Sequence, residues 1–183
     1  MGNDFFAQLP SEFVFASGVG GWYTEITLSS DGTFIGRYSD SEMWDIGNGY
    51  PNGTVYICNF DGKFSFPQQL DDCICSMTLE YLNTIGNPGS EYYENGIRYI
   101  CSNPYGFDDA DKFLIYLPGC PLDKISEDFL SWASIDTGIR STLPSGFYGI
   151  YNIEGMEGFV GLVDNNLWSK DYLYNYGSYR SAL

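Results

Sequence analysis

Trp22-Tyr23-Thr24-Glu25-Ile26-Thr27-Leu28 runs through Ser29-Ser30-Asp31-Gly32 and returns as Thr33-Phe34-Ile35-Gly36-Arg37-Tyr38-Ser39. The first seven residues alternate. Trp22, Thr24, Ile26 and Leu28 share one face, and Tyr23, Glu25 and Thr27 share the other. A period of two is that of a strand with one face buried. Ser30-Asp31-Gly32 turns the chain, because glycine takes positive φ without steric cost. The stretch is therefore a β-hairpin.

The same signals recur about every ten residues along the chain. Residues 54–60 form a second clean strand, with Asp61-Gly62 as its turn and 63–66 going back. Residues 73–82 are a third run. Tyr92-Tyr93-Glu94, Asn95-Gly96 and 97–101 read as another hairpin, and 112–117 as a short strand closed by Pro118-Gly119. Residues 147–153, the turn Glu154-Gly155 and 158–163 make the last hairpin. Nine or ten short strands with regular turns point to an all-β barrel or sandwich. Residues 126–133 break the pattern. Ser126 is placed to cap, Glu127 and Asp128 suit the positive end of a helix dipole, and Phe129, Trp132 and Ala133 fall on one face. One or two helical turns are expected there, as a lid or plug on the sheet.

Three strands carry a glycine at mid-length between large residues: Phe34-Ile35-Gly36-Arg37-Tyr38, Phe147-Tyr148-Gly149-Ile150-Tyr151 and Phe159-Val160-Gly161-Leu162-Val163. A strand glycine marks a bend, a bulge or a close approach. Strands that coil tightly to close a small barrel use such glycines, and aromatic rings cover the gap. The expected fold is an all-β, antiparallel up-and-down barrel of about eight to ten strands with one short helix. A two-sheet sandwich, or a ligand lying against the backbone, would use the same glycines.

A chain of 183 residues is expected to be one domain, 1–183, with an N-terminal extension over 1–11 and an aromatic-rich C-terminal segment over 165–183. It contains 8 basic and 24 acidic residues, a net charge of −16, and no histidine. That balance argues against a nucleic-acid partner and against docking on anionic lipid. The missing histidine removes Ser-His-Asp and Cys-His catalysis and every His-ligated metal site. No cofactor is expected. The start, Met1-Gly2-Asn3-Asp4-Phe5-Phe6, has neither a basic n-region nor an apolar h-region. No run of about 18 apolar residues exists, so no membrane insertion is expected. The compartment is then extracytoplasmic or cell-surface if a leader has been removed, and cytoplasmic otherwise.

The five cysteines are Cys58, Cys73, Cys75, Cys101 and Cys120, so at least one is free or pairs between chains. Cys73 and Cys75 are too far apart on a strand to bridge each other easily. Small buried thiols, one disulfide and a reactive or metal-binding thiol are the three readings of the set.

Aromatic residues make up 18% of the chain, and 16 of them are tyrosine. Such walls with polar tips suit small apolar molecules, sugars or flat rings, besides forming core and cross-strand pairs. The candidate ligand contacts are Trp22, Tyr38, Trp44, Tyr105, Phe147 and Tyr151. Two loops are long for a hairpin protein, 39–53 and 103–111. Asp40, Glu42 and Asp45 in the first are weak calcium candidates on a glycine-rich loop, without EF-hand spacing. Glu25 is the acid to watch for carboxylate chemistry, if its face is interior.

Gly20-Gly21-Trp22-Tyr23 resembles the Gly-x-Trp-Tyr first-strand signature of the lipocalins and wider calycins. The resemblance implies an up-and-down barrel closed at one end by Trp22, with Arg140 as the late arginine that stacks on it, and a cavity for small hydrophobic molecules. The stretch 22–62 is also similar to parts of uncharacterised lipoproteins of gut-type Gram-positive bacteria. That similarity implies surface anchoring through a leader and a lipidated cysteine. The expected function is a non-enzymatic binding module for a small apolar or aromatic ligand in the barrel interior. The alternatives are a carbohydrate-acting hydrolase with paired carboxylates, and an interaction domain that uses its acidic loops against a basic partner.

Overall fold

The computed structural model describes residues 4–17 and 21–163. The expected aromatic segment 165–183, and Gly20 of the Gly-x-Trp-Tyr stretch, lie outside the described residues. The strands are β1 Glu12–Ala16, β2 Trp22–Leu28, β3 Thr33–Glu42, β4 Thr54–Phe64, β5 Gln68–Gln69, β6 Ile74–Ile85, β7 Glu91–Glu94, β8 Ile97–Cys101, β9 Lys112–Tyr116, β10 Phe147–Asn152 and β11 Glu157–Leu162, with one short helix, α1, Glu127–Trp132. Eight of them close an antiparallel barrel in chain order: β1, β2, β3, β4, β6, β9, β10 and β11, with β11 back on β1. The chain is thus an all-β, up-and-down barrel, an architecture compatible with a lipocalin-like barrel.

The closing seam is short. Only Phe13↔Gly161 and Val14↔Val160 register between β1 and β11, whereas β3 and β4 share ten pairs. β4 divides its free edge. Its first part pairs in parallel with β8, and its second part pairs antiparallel with β6. The β7–β8 hairpin therefore projects outside the barrel. Asn95 and Gly96 both take positive φ there, as a two-residue turn requires.

One expected turn is absent. Asp61-Gly62 lies within the continuous strand β4, paired on one side with Ile35 and Phe34 and on the other with Asn83 and Leu82. Asp-Gly has turn chemistry, but here ladders on both flanks hold the backbone extended. Gly62 is a coiling glycine instead: a Cβ would overlap the Phe34 ring and meet Tyr81 O at 2.9 Å. Gly36 under Phe60 and Gly161 under Phe13 have the same relation on the interior side. Gly149 differs. It faces outward with Gly158, and both lie beneath the Phe129 ring of α1.

The interior is filled by phenylalanines, among them Phe13, Phe34, Phe60, Phe64, Phe113 and Phe159. Burial of several large apolar side chains, each contributing about 1.5–3 kcal/mol, is the main force closing the barrel. A second cluster lies outside the wall. Residues 117–146 climb over β9, β10 and β11 and bury Leu122, Phe129 and Leu130 against Phe147, Tyr151 and Val160. Ser126 precedes α1 without a side-chain capping bond, contrary to expectation; its backbone N–H donates instead to the Tyr116 hydroxyl. Cys73 and Cys120 form a disulfide that ties this outer segment to the start of β6, as one of the readings of the cysteines has it. Cys58 and Cys75 are buried thiols, and burial pushes Cys58 up to about 11. Such thiols are inert fillers. At one end of the barrel Phe5 and Phe6, on a short 3₁₀ turn, are packed into the core.

Candidate functional site

The opposite end carries the end of β1, the start of β2, the 43–53 and 153–156 connections and the entry to β9. Four aromatic rings meet there. Trp22 stands 4.7 Å from Phe15 and 4.7 Å from Tyr105, centroid to centroid, and Trp132 of α1 stands 4.9 Å from Phe15 and 5.9 Å from Trp22. β1 and β11 have separated at this level, so Trp132 reaches Phe15 past the seam. Its indole N–H donates to Met156 O at 2.9 Å in the β10–β11 turn.

Residues 102–111 close this mouth from above. Gly106 has φ +104, and a Cβ there would meet Phe159 and Phe15, so only glycine lets the loop drop this low. Phe107 then descends into the barrel. Its ring lies 5.5 Å from Phe34, 5.4 Å from Phe60 and 5.3 Å from Phe159. The loop backbone is held by side chains of the wall. Thr24 Oγ1 donates to Tyr105 O at 2.6 Å, and Asn152 Nδ2 donates to Asp108 O at 3.0 Å and Gly106 O at 3.4 Å. Glu154 Oε2 accepts from Lys112 N at 3.1 Å.

A buried acid sits under the loop. Glu157 is 3% exposed, and its Oε2 accepts from Asn152 Nδ2 at 3.1 Å. Burial first, and then the Asp108 carboxylate beside it, push Glu157 up to about 7. Tyr105 is raised by burial and then by Glu157, and Tyr38 by burial and then by Asp40, whose Oδ2 accepts from its hydroxyl at 3.5 Å. Asn152 Oδ1 is buried without a hydrogen-bond partner.

Of the six expected ligand contacts, Trp22, Tyr38 and Tyr105 come together at this end. Phe147 and Tyr151 are buried on the outer side of the wall, beneath α1, because β10 turns Tyr148, Ile150 and Asn152 inward. Trp44 is 95% exposed at the tip of the 43–53 loop. Arg140 lines an outer groove of about 700 Å³ with Leu122, Ile125 and Leu130; the rings on Trp22 are Phe15, Tyr105 and Trp132. Asp45 binds Arg98 at 2.5 Å, and among the described residues no three acids or cysteines converge on a metal position. Glu25 faces outward and pairs with Arg37 at 2.7 Å.

Sequence reading missed Phe107 as a plug, Asn152, Glu157 and the role of Trp132. A signal for Glu157 was present. It stands two residues before Phe159 and four before Gly161, so it shares their inward face. Comparison with known protein families, with curated proteins and with solved structures finds no match.

Proposed function

We propose that the chain is a non-enzymatic binding module that takes a small apolar or aromatic ligand at the aromatic end of a lipocalin-like barrel. The observation that carries this reading is the ring of Phe15, Trp22, Tyr105 and Trp132 over a phenylalanine-filled interior. Ring faces and edges at this spacing suit a flat apolar guest, and Tyr38 and Tyr105 add polar tips. The Cys73–Cys120 disulfide supports an oxidising, extracytoplasmic location. The carbohydrate-hydrolase alternative has less support. Glu25, the acid on which that reading rested, lies on the outer face and is paired with Arg37.

Titration with N-phenyl-1-naphthylamine tests the reading. Saturable enhancement of probe emission, weakened in a folded Trp22→Ala variant, is expected. A linear, non-saturating response in the wild type would remove it.

A further inference from the structure

β7 stands at one end of the strand order, and among the described residues nothing pairs with its outer edge. All four of its residues, Glu91-Tyr92-Tyr93-Glu94, are exposed. The backbone bonds fix which groups face outward. Cys101 N donates to Ser90 O at 2.8 Å, and on the far side of β8 Arg98 N donates to Gly53 O at 3.1 Å. Peptide groups alternate along a strand, so Tyr92 and Glu94 turn theirs to β8, while Glu91 and Tyr93 turn their N–H and C=O groups to solvent. The hairpin is held in place by the 43–53 loop. Asn52 N donates to Gly96 O at 2.9 Å, Arg98 lies 4.7 Å over the Tyr50 ring and pairs with Asp45, and Tyr50 stands 5.7 Å from Tyr93.

We propose that the open edge of β7 docks an extended basic segment of a partner protein, which adds as a further strand and directs lysine or arginine side chains to both faces. Glu91 and Tyr93 offer the backbone groups for such pairing. Each face then presents one ring and one carboxylate. Glu91 and Tyr93 share one face, where the Tyr93 hydroxyl donates to Glu91 Oε1 at 2.8 Å. Tyr92 and Glu94 share the other, with Tyr92 stacked on Tyr99 at 4.9 Å. A cation beside each pair gains an ion pair and a cation–π contact. The hairpin's own cation, Arg98, does not compete, because it is engaged with Asp45 and Glu91 beside the Tyr50 ring. Charged side chains guard open edges against self-association, and here both are acidic, so what repels a second copy attracts a basic strand. Two copies paired so that Glu91 of each faces Tyr93 of the other would set both Glu91 side chains diagonally on one face and join two chains of net charge −16. This inference goes beyond the small-molecule reading and does not depend on it.

Titration of the ¹⁵N-labelled whole chain with the peptide acetyl-Lys-Arg-Val-Lys-Arg-Thr-Lys-amide tests the edge. The control is the same peptide N-methylated at its three central residues, which keeps the charge and removes N–H donors from both of its edges. Saturable shifts over β7 are expected with the first peptide and not with the control. Amide exchange at Glu91 and Tyr93 is expected to slow at least about tenfold in the complex. Tyr93→Pro removes an outward N–H without removing a bond to β8, a place where an edge strand tolerates proline. It is expected to weaken binding at least about fivefold, and Glu94→Lys about threefold. Two substitutions are used so that a folding failure in one leaves the other to decide. No saturable binding, shifts confined to other parts of the chain, equal binding of the N-methylated peptide, or full affinity in either folded variant overturns the proposal. A dimer of the free chain that Tyr93→Pro dissociates would make a second copy the occupant and overturn it as well.

Discussion

Phe107 and Phe34 stack 5.5 Å apart with their planes 20° from parallel, although one belongs to a connecting loop and the other to the start of wall strand β3. A loop residue thus completes the core. Replacing it separates the loop's contribution to stability from that of the wall. Phe107→Ala is expected to cost about 3–5 kcal/mol in urea unfolding, the usual range for a buried phenylalanine. A cost under about 1 kcal/mol would mean that the ring is not seated in solution.

The coiling glycines make a sharper claim about packing. A Cβ on Gly36 would overlap the Phe60 ring and meet Glu25 O at 2.8 Å, and backbone cannot yield as a flexible side chain does. Gly36→Ala is expected to destabilise by about 1–3 kcal/mol. At Gly21 the nearest atom to a new Cβ is Ser17 Oγ at 3.6 Å, an ordinary contact, so Gly21→Ala is expected to stay within about 1 kcal/mol of the wild type. Thermal melts of the two variants side by side check the contrast.

The Cys73–Cys120 bridge closes a loop with a sequence separation of 47. In the chain-entropy account a bridge of that span contributes about 4 kcal/mol. Reduction, or Cys73→Ser with Cys120→Ser, is expected to lower the melting temperature and to expose residues 117–146 to protease before the barrel strands. Simultaneous loss of both regions would show that the outer segment and the barrel unfold as one unit.

Glu157 gives the pH dependence a definite sign. Its folded value, about 7, lies above the ordinary carboxylic value of 4.5, so the folded chain holds a proton that the unfolded chain has released. The associated stability is fully present below pH 4.5 and is lost as the pH rises to about 7. Melting temperature is expected to fall over that window in the wild type, and to fall less in Glu157→Gln. The general self-repulsion of an acidic chain acts in both proteins and cancels in the comparison.

Much of the wall was legible in advance, since β2 matches its expected span of 22–28 and the Asn95-Gly96 hairpin forms as read. Asp61-Gly62 misled because turn propensity is local, whereas the strand running through it is held by partners about 20 to 30 residues away in sequence. Trp22, Tyr38 and Tyr105 were recognisable as aromatic residues on inward or loop positions. Phe147 and Tyr151 carry the same chemistry, and nothing local distinguishes them. They were drawn to the outer side because α1 covers β10 there.

Alternation, glycine spacing and composition by themselves determined that this chain is an antiparallel β protein that coils tightly, carries a strong negative charge and has no imidazole chemistry, because each of those properties is set by nearest neighbours or by counting. Tertiary structure alone decided which face of β10 is inside, which cysteines join, and that an acid on β11 meets an acid in a loop some fifty residues earlier. Such pairings depend on where the closing barrel brings distant segments, and the burial that raises Glu157 exists only once Phe107 has been lowered into the core and the loop above it has shut out water.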